Sequence, residues 1–399
     1  MNIFNSLGSN YNFSFSLKAL FAGNNPKYSE ELEKYLESKY QGKTVLLYKA
    51  REAIFLALKI LNLPKGSVVA INGYTCYAVY KAIVDAGYKI EYLDITKGDL
   101  NFSAQDFKTA LEKNAAIKVL IVQNTLGYPC DIVNIAEICK QNNIILIEDL
   151  AHSIGAVYAD GREAGTVADF TVLSFSQDKM IDAVSGGALI IRNRQYQDHN
   201  LPQFLEVAKR QQIMDRWYPD LTFKIRTNYK FGLGKLTHRM YKSLGLLSKP
   251  MGNLDAISLH KLPAWYCGLV LYQYKNLENN LKHRKDIAKV YADNLDPKIL
   301  VKNLTSKISN STNLRFPILV EDRLGLISYL KSQGVHISDI WYDAPVAPEK
   351  YMSLTDYKGQ CVEAEIVSKK MLNLPTHINI NQAQAEIIAK KINTWLKSQ

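Results

Sequence analysis

Short apolar segments alternate with helical patterns from residue 45 to residue 193, and this alternation constrains the fold more than any other feature of the sequence. Strands that are apolar on both faces and separated by helices are typical of a mostly parallel sheet covered by helices on both sides. We therefore predict an α/β fold with a ligand site at the carboxyl ends of its strands. The predicted strands are residues 45–48, 68–71, 89–95, 117–124, 144–149, 169–176 and 186–193, and the helices between them are residues 51–61, 76–87 and 131–141.

The C-terminal third of the chain carries a shorter set of patterns that predicts a smaller α/β unit. We therefore predict two domains, a large one over residues 1–265 and a small one over residues 266–399. Residues from about 195 to 256 show no strand pattern and are predicted to be an insertion in the large domain. The predicted C-terminal elements are one long helix at 266–295, a strand at 315–320 and helices at 322–333 and 382–397.

Composition excludes several classes of protein. Of the 399 residues, 47% are hydrophobic and 22% are charged, which is the balance of a globular rather than a disordered chain. The five cysteines are scattered and form no CxxC pair, so we predict neither a metal site nor a disulfide framework. The sequence has no apolar run of about 18 residues, and no basic residue precedes the weakly apolar stretch 13–23, so we predict a cytoplasmic protein.

An acid and a lysine follow two successive predicted strands. Asp149 ends the apolar segment IILIED, which would deliver its carboxylate to the ligand crevice, although a helix N-cap is an alternative role. Lys179 follows the strand TVLSFS by three residues and precedes the pair Gly186-Gly187, where backbone can approach a ligand. A solvated surface charge is the alternative for this lysine, as for most lysines.

The two residues together match what one cofactor needs. Pyridoxal phosphate requires a lysine for its aldehyde and an acid for its pyridine nitrogen. It also requires phosphate donors, which hydroxyl groups and a helix N-terminus supply well. Asp149 and Lys179, with Ser174 between them, fit this set and predict a pyridoxal phosphate enzyme.

Several motifs resemble those of the DegT/StrS-type aminotransferases, which have the type I fold of aspartate aminotransferase. The resemblance covers nearly the whole chain and implies a homodimeric transferase that aminates nucleotide-linked keto-sugars, with glutamate as the usual donor, in polysaccharide biosynthesis. The motifs are EDLAHSIGA (148–156), SFSQDK (174–179), Gly186-Gly187, NTLGYPCDI (124–132), QYKNLENNLKHR (273–284) and LNLPTHINI (372–380).

The resemblance assigns a role to each matching site residue. Lys179 would be the Schiff-base lysine and the proton carrier, and Asp149 would pair with the pyridinium nitrogen. His152 would contact the 3-hydroxyl group of the cofactor, and Ser174 would bind its phosphate.

Two departures from the family pattern leave part of the cofactor site open. The Ser-Gly-Thr that usually begins the first large helix is here Lys-Ala-Arg, so we predict phosphate contacts from Ala50 and Arg51, with a charged contact in place of a hydroxyl. The aromatic residue that stacks on the cofactor ring aligns with Cys76. A ring contact from Cys76 itself, from Tyr77 or from Tyr74 stays open.

Positive charge is concentrated in one segment. The net charge is +11, and residues 201–250 hold ten Lys/Arg against three Asp/Glu. A solvated basic face, phosphate contacts to a nucleotide-sugar, and peripheral attachment of residues 209–249 to the inner face of an anionic membrane all fit this pattern. No recognised nucleic-acid module accompanies the charge, so nucleic acid is not a predicted partner. The cations are Lys209, Arg210, Arg216, Lys224, Arg226, Lys230, Lys235, Arg239, Lys242 and Lys249.

Three functional hypotheses follow. The leading hypothesis is a pyridoxal phosphate-dependent aminotransferase that moves an amino group from glutamate to a nucleotide-linked keto-sugar. The second keeps the cofactor but makes the reaction a dehydration, or another reaction on an atypical, membrane-associated substrate. The third is a non-catalytic regulator or scaffold with the same fold.

Overall fold

The structure is a computed structural model that describes residues 3–229, 232–249, 255–337 and 341–399. In these ranges, short 3-10 helices lie between the main elements, at Thr125–Gly127, Arg194–Tyr196, Pro297–Ile299, Thr305–Lys307 and Glu349–Leu354. The main elements in chain order are β1 (Ile3–Phe4), α1 (Phe13–Leu20), α2 (Lys27–Tyr40), β2 (Lys43–Leu47), α3 (Ala50–Leu61), β3 (Val68–Asn72), β4 (Thr75–Cys76), α4 (Tyr77–Ala86), β5 (Lys89–Leu93), α5 (Ala104–Lys113), β6 (Ile117–Gln123), α6 (Ile132–Gln141), β7 (Ile145–Asp149), β8 (Phe170–Ser174), β9 (Gly187–Ile191), α7 (Lys209–Thr227), α8 (Leu233–Ser243), α9 (Ala264–Lys275), α10 (Leu277–Asn294), β10 (Phe316–Leu319), α11 (Arg323–Ser332), β11 (Val335–His336), β12 (Val346–Ala347), α12 (Val362–Lys370), β13 (Met371–Leu374) and α13 (Gln382–Lys397).

A seven-stranded sheet in the order β2-β9-β8-β7-β6-β3-β5 confirms the predicted fold class. The pairs from β8 through β7, β6 and β3 to β5 are parallel, and β9 runs antiparallel to both of its neighbours. Each strand of this sheet overlaps one of the seven predicted apolar segments. The carboxyl ends of β7 and β8 therefore lie side by side, which brings together the residues that follow them.

Alternating side chains of the strands enter two large apolar clusters. In β2, for example, Val45 and Leu47 pack into one cluster and Leu46 packs into the other. Helices α3 and α4 contribute to the first cluster, and α2, α6 and α9 contribute to the second. Because helices cover both faces, both sets of side chains must be apolar, which explains why the strands read as continuous apolar runs.

The predicted single helix at residues 266–295 is wrong, because the structure has two helices, α9 and α10, that meet at Asn276. The backbone of Asn276 leaves the helical region, with φ −106° and ψ 4°, and its side-chain amide donates to the carbonyl oxygen of Tyr272 at 2.8 Å. An asparagine side chain that bonds to nearby backbone competes with the helical hydrogen bonds and ends the helix.

Residues 195–256 contain the helices α7 and α8, while Lys230, Phe231 and residues 250–254 lie outside the described residues. Helix α7 packs against both α1 and α8, so the insertion is fixed to the N-terminal part of the chain. In the described part of the chain, no helix has both the length and the hydropathy needed to cross a bilayer.

A third apolar cluster is formed by α10, α11, α13 and the antiparallel pair β10–β13. Ile3 from the start of the chain belongs to the same cluster, because β1 pairs in parallel with β11. The division into domains at residues 265 and 266 stays a prediction.

Candidate active site

A cavity of about 460 Å³ opens where β7 and β8 end. Asp149 is the last residue of β7 and Ser174 is the last residue of β8, so both side chains reach the cavity from the sheet. The segment after β8 then carries Lys179 to the same place. Of the eight predicted site residues, the cavity is lined by Lys179, Asp149, His152, Ser174, Ala50, Arg51 and Cys76.

Lys179 is held in a setting that favours its neutral, nucleophilic form. Removal of its amine from water lowers the pKa of Lys179, although the nearby Cys76 and Asp149 oppose this shift. Its Nζ lies 4.5 Å from the centre of the Trp341 ring. A neutral amine inside a cavity is the form that attacks an aldehyde.

The segment that carries Lys179 is anchored by a buried carboxylate. Asp182 accepts hydrogen bonds from the Tyr11 hydroxyl at 2.5 Å and from the Asn10 side-chain amide at 3.0 Å. The backbone N–H groups of Asp178 and Val184 also donate to it, at 2.8 and 3.1 Å. Four donors converge on one side chain, and therefore the backbone on both sides of the lysine has little freedom.

Asp149 provides a buried carboxylate in the wall of the cavity. Its Oδ1 accepts a hydrogen bond from the N–H of Ala151 at 2.9 Å, and residues 150–155 form turns, so it does not cap a helix. Burial raises the pKa of Asp149, while the Ala151 bond and the charge of Lys179 lower it. A carboxylate with this much desolvation is stabilised by a cation placed against it, as a protonated pyridine nitrogen would be.

His152 is oriented by a backbone group and by an aromatic ring. Its Nδ1 accepts a hydrogen bond from the N–H of Leu126 at 3.1 Å, so in the neutral ring the proton lies on Nε2. Burial lowers the pKa of His152 well below its ordinary value, and the charges of Lys179 and Arg315 add to this shift. The ring stacks on Trp341 with centroids 5.6 Å apart. A neutral His152 can thus donate from Nε2 to a ligand oxygen.

The start of α3 gives the cavity groups that suit a phosphate. Helix α3 begins there at Ala50, and among the described residues no side chain caps its N-terminus. A Cβ at Gly187 would lie 2.6 Å from the backbone nitrogen of Ala50, so only glycine lets β9 pass this close to the start of α3. Arg51 and Ser174 line the same cavity and add a guanidinium and a hydroxyl. A helix N-terminus with such groups binds anions well.

Lys49 lines the cavity but was not predicted as a site residue, because in the sequence it resembles an ordinary surface lysine. Its Nζ donates to the hydroxyl of Ser185 at 2.9 Å, and burial lowers the pKa of Lys49 to about 8. It lines the cavity beside the start of α3, and so it adds a second cation near the proposed phosphate position.

The structure separates the three candidates for the ring contact. Cys76 lines the cavity, whereas Tyr77 is absent from the described lining residues. Tyr77 is the first residue of α4, and its ring packs against Tyr80, one turn along, and against Tyr351. The Tyr74 hydroxyl donates to the backbone oxygen of Tyr342 at 2.7 Å. Helix packing directs the Tyr77 ring towards Tyr80 and Tyr351, so Cys76 is better placed for this contact, and a cofactor contact from Tyr77 stays a prediction.

Three further lining residues come from positions that the sequence did not single out. Trp341 stacks on His152, and Tyr342 accepts a hydrogen bond at its hydroxyl from the Gln123 side-chain amide at 3.1 Å. The pairing of β12 with β4 brings the segment after residue 341 to this position. The adjacent aromatics in WYDAP are the one local signal that could have drawn attention to this segment.

A second cavity, of about 540 Å³, adjoins the first. Both cavities are lined by Ser6, Gln177 and Asp178, so a ligand could occupy the two together. The second cavity is rich in basic side chains, which suits an anionic ligand. These side chains are His238, Lys242, Lys249, Lys331 and His336.

Comparison with known proteins agrees with this chemistry. The family model of the DegT/DnrJ/EryC1/StrS aminotransferase family matches residues 20–393. A UDP-4-amino-4,6-dideoxy-N-acetyl-beta-L-altrosamine transaminase of Campylobacter jejuni is 26% identical, over 74% of this chain and 68% of its own length. A GDP-perosamine synthase of Escherichia coli O157:H7 is 22% identical, over 86% of this chain and 83% of its own length.

Solved structures give the same fold. A Streptococcus pneumoniae protein of the sugar aminotransferase type, solved in PMP and PLP forms, aligns in the PMP form with a TM-score of 0.74 and 20% identity. The alignment covers 100% of this chain and 98% of that chain. The type I fold predicted from the motifs is thereby confirmed.

Proposed function

This chain belongs to the DegT/DnrJ/EryC1/StrS aminotransferase family, and we propose that it transfers the amino group of glutamate to a nucleotide-linked keto-sugar. Family membership makes it a pyridoxal phosphate-dependent aminotransferase that acts on a sugar, as the sequence motifs predicted. The observation that supports the site most directly is the meeting of Lys179 and Asp149 in one cavity at the ends of β7 and β8.

Different residues of the cavity would bind different parts of the cofactor. When bound, pyridoxal phosphate supplies an aldehyde for covalent attachment and an electron-withdrawing ring that stabilises negative charge on the reacting carbon. Asp149 would hold a proton on the ring nitrogen, and Nε2 of His152 would donate to the ring hydroxyl. Ser174, Arg51 and the N-terminus of α3 would bind the phosphate.

Lys179 would carry the proton during transfer. With the cofactor bound, Nζ of Lys179 would hold the proton that leaves the donor carbon and would pass it to the neighbouring atom that receives it. Because burial lowers the pKa of Lys179, a larger fraction of its amine is neutral and able to act as a base than for a surface lysine at the same pH. The anchoring of its segment by Asp182 would keep Nζ within reach of both atoms.

An anionic substrate is supported by the second cavity. A nucleotide-linked sugar carries phosphate groups, and the basic side chains of that cavity lie next to the catalytic cavity. The two curated relatives described above are named for nucleotide-sugar products. The homodimer, the cytoplasmic location and the identity of the donor as glutamate stay predictions.

Absorbance of the bound cofactor tests this function. Purified protein should show the band of lysine-bound pyridoxal phosphate, and Lys179→Ala should lose it while Lys59→Ala, an exposed lysine on α3, should keep it. Glutamate alone should convert the bound cofactor to its amino form. If glutamate and other amino acids all fail to convert it, transamination is contradicted and the dehydration hypothesis gains.

A further inference from the structure

Helix α8 has its apolar face turned away from the protein. Leu233, Leu236, Met240 and Leu244 recur at helical spacing and form one stripe, and their side chains are 58%, 64%, 44% and 59% exposed. An amphipathic helix of a globular protein normally packs this stripe on the core. Here the stripe is presented to the surroundings, so it requires a partner or a special environment.

The opposite face of α8 is the one that contacts the protein. Gly234 is buried, and a side chain there would overlap the backbone of Ile225 in α7. His238 and Lys242, on the same side, line the second cavity. The orientation of the helix is thus fixed by packing, and the outward stripe follows from it.

The charges around the stripe are of one sign. The described residues 232–249 contain Lys235, Arg239, Lys242 and Lys249 and no acidic residue. All four cations are exposed. An exposed apolar stripe flanked only by cations is complementary to a surface that is apolar inside and anionic outside.

The neighbouring helices extend the apolar character. Helix α7 exposes Ile213 and Trp217, helix α1 exposes Phe13, and Phe21 is exposed directly after α1. Both helices belong to the same packed group as α8, since α7 contacts each of the other two. Trp217 has an apolar ring system with a polar N–H group, and such side chains are favoured where headgroups meet acyl chains.

We propose that α8 docks through Leu233, Leu236, Met240 and Leu244 onto an anionic membrane surface, with Lys235 and Arg239 contacting lipid headgroups. A second copy of the chain fits this face less well. A two-fold interface through this face would bring its cations close to the cations of the second copy, and the described residues 232–249 hold no acid to neutralise them.

Docking through α8 would also place the second cavity near the membrane surface. The helix separates the outward stripe from the cavity by about 10 Å, the diameter of one helix. A phosphate-bearing sugar at the membrane surface would therefore be close to the basic side chains that adjoin the catalytic cavity. This step rests on the proposed function, whereas membrane binding itself does not.

Vesicle flotation of the holoenzyme tests the docking. Wild-type protein should float with vesicles that contain phosphatidylglycerol, float less with pure phosphatidylcholine, and be released by about 0.5 M salt. The double variant Leu236→Glu/Met240→Glu should bind the anionic vesicles at least about tenfold more weakly, since it removes two inserted apolar side chains and adds two negative charges.

The control has the same chemistry on another helix. Val362 and Ile366 of α12 are also four residues apart and are 60% and 44% exposed, and Glu363 and Glu365 lie beside them. The variant Val362→Glu/Ile366→Glu should float like wild type. Unchanged cofactor absorbance in both variants would show that the cavity is intact, independently of any transaminase activity.

Three outcomes would overturn the docking. Wild-type protein that stays unbound with phosphatidylglycerol vesicles is the first. Equal flotation of the α8 and α12 variants is the second. The third is a fall in oligomeric state caused by Leu236→Glu/Met240→Glu in analytical ultracentrifugation, because the stripe would then be covered by a second copy.

Discussion

Arg51 takes over a position where the related family usually has a hydroxyl residue, and this exchange changes how phosphate would be held. A guanidinium supplies a charge and two parallel donors, so its bond to phosphate is stronger than that of a hydroxyl. Desolvation lowers the pKa of Arg51, yet an arginine stays charged at neutral pH. The charge of Glu52 offsets part of the cost of burying this guanidinium, and a bound phosphate would offset more of it.

Arg51→Ala should therefore weaken the binding of pyridoxal phosphate by about ten- to a hundredfold, the equivalent of one charged hydrogen bond. Titration of the apo-protein with cofactor measures the dissociation constant. Lys59→Ala removes the same charge from the exposed end of α3 and should leave the constant unchanged. Equal effects in the two variants would mean that Arg51 acts through general charge and not through contact.

The lowered pKa of Lys179 leads to a prediction about the pH at which the cofactor attaches. Because burial lowers the pKa of Lys179 below the ordinary 10.5, the neutral fraction rises at lower pH than for a surface lysine. The rate of cofactor attachment to the apo-protein should rise with pH and reach its plateau below that value. Stopped-flow absorbance gives this profile.

Asp149 leads to a further prediction, about the pH dependence of cofactor attachment. Its negative charge raises the pKa of Lys179, so Asp149→Asn should move the pH profile of attachment to lower pH. A profile that stays in place, or that moves to higher pH, would contradict the electrostatic coupling between the two side chains.

Strand-end residues could be predicted from the sequence, whereas contacts from distant segments could not. Asp149 and Ser174 end apolar strands, and parallel strands bring their carboxyl ends together. Trp341 reaches the cavity only because β12 pairs with β4, which lies more than 260 residues earlier in the chain. No local pattern carries that information.

At the scale of elements, the contact between β9 and the start of α3 decides whether a phosphate site can form. Gly187 lies against Ala50, and the two backbones are closer than any side chain at Gly187 would allow. The diglycine motif thus has a steric explanation: it leaves the helix N-terminus open to a ligand instead of filling the space with a side chain.

Gly187→Ala should lower both stability and cofactor affinity. The added methyl group overpacks the site at a cost of about 1–3 kcal/mol and displaces the N-terminus of α3. Gly42→Ala is a matched control, because its Cβ would lie 2.7 Å from the carbonyl oxygen of Ile191 at the other end of β9. Thermal melts should show destabilisation in both variants, and cofactor titration should show weaker binding in Gly187→Ala alone. Weaker binding in both would point to a general loss of fold.

Helical periodicity predicts that an element exists but not where it breaks or which way it faces. The pattern over residues 266–295 is continuous, yet the side chain of Asn276 divides it into α9 and α10. The pattern of α8 is amphipathic, yet its apolar stripe faces outward, because Gly234 allows the opposite side to pack against α7. Both outcomes depend on a single residue whose effect appears only in the folded chain.

At the scale of the whole molecule, the sheet and its order follow from the alternation of apolar runs and helices, and the basic segment does not disturb them. Residues 201–250 hold most of the net positive charge, and the described part of this segment forms α7, α8 and the adjoining loops. The candidate catalytic cavity thus lies at the carboxyl ends of the sheet strands, and much of the positive charge lies on the separate helices α7 and α8. Part of that charge faces outward and part lines the second cavity.

The charge that lines the second cavity leads to the last prediction. Lys242 from α8 and Lys331 from α11 line the second cavity from different parts of the chain. If this cavity receives the phosphate groups of the sugar substrate, Lys242→Gln and Lys331→Gln should each lower kcat/KM for that substrate by about three- to tenfold, as expected for partly exposed ion pairs. Conversion of the bound cofactor by glutamate should be unchanged, because that half-reaction needs only the first cavity. Lys209→Gln, an exposed lysine at the start of α7, should affect neither half-reaction. A loss in the glutamate half-reaction would show that the two lysines support the catalytic cavity and not the sugar phosphate.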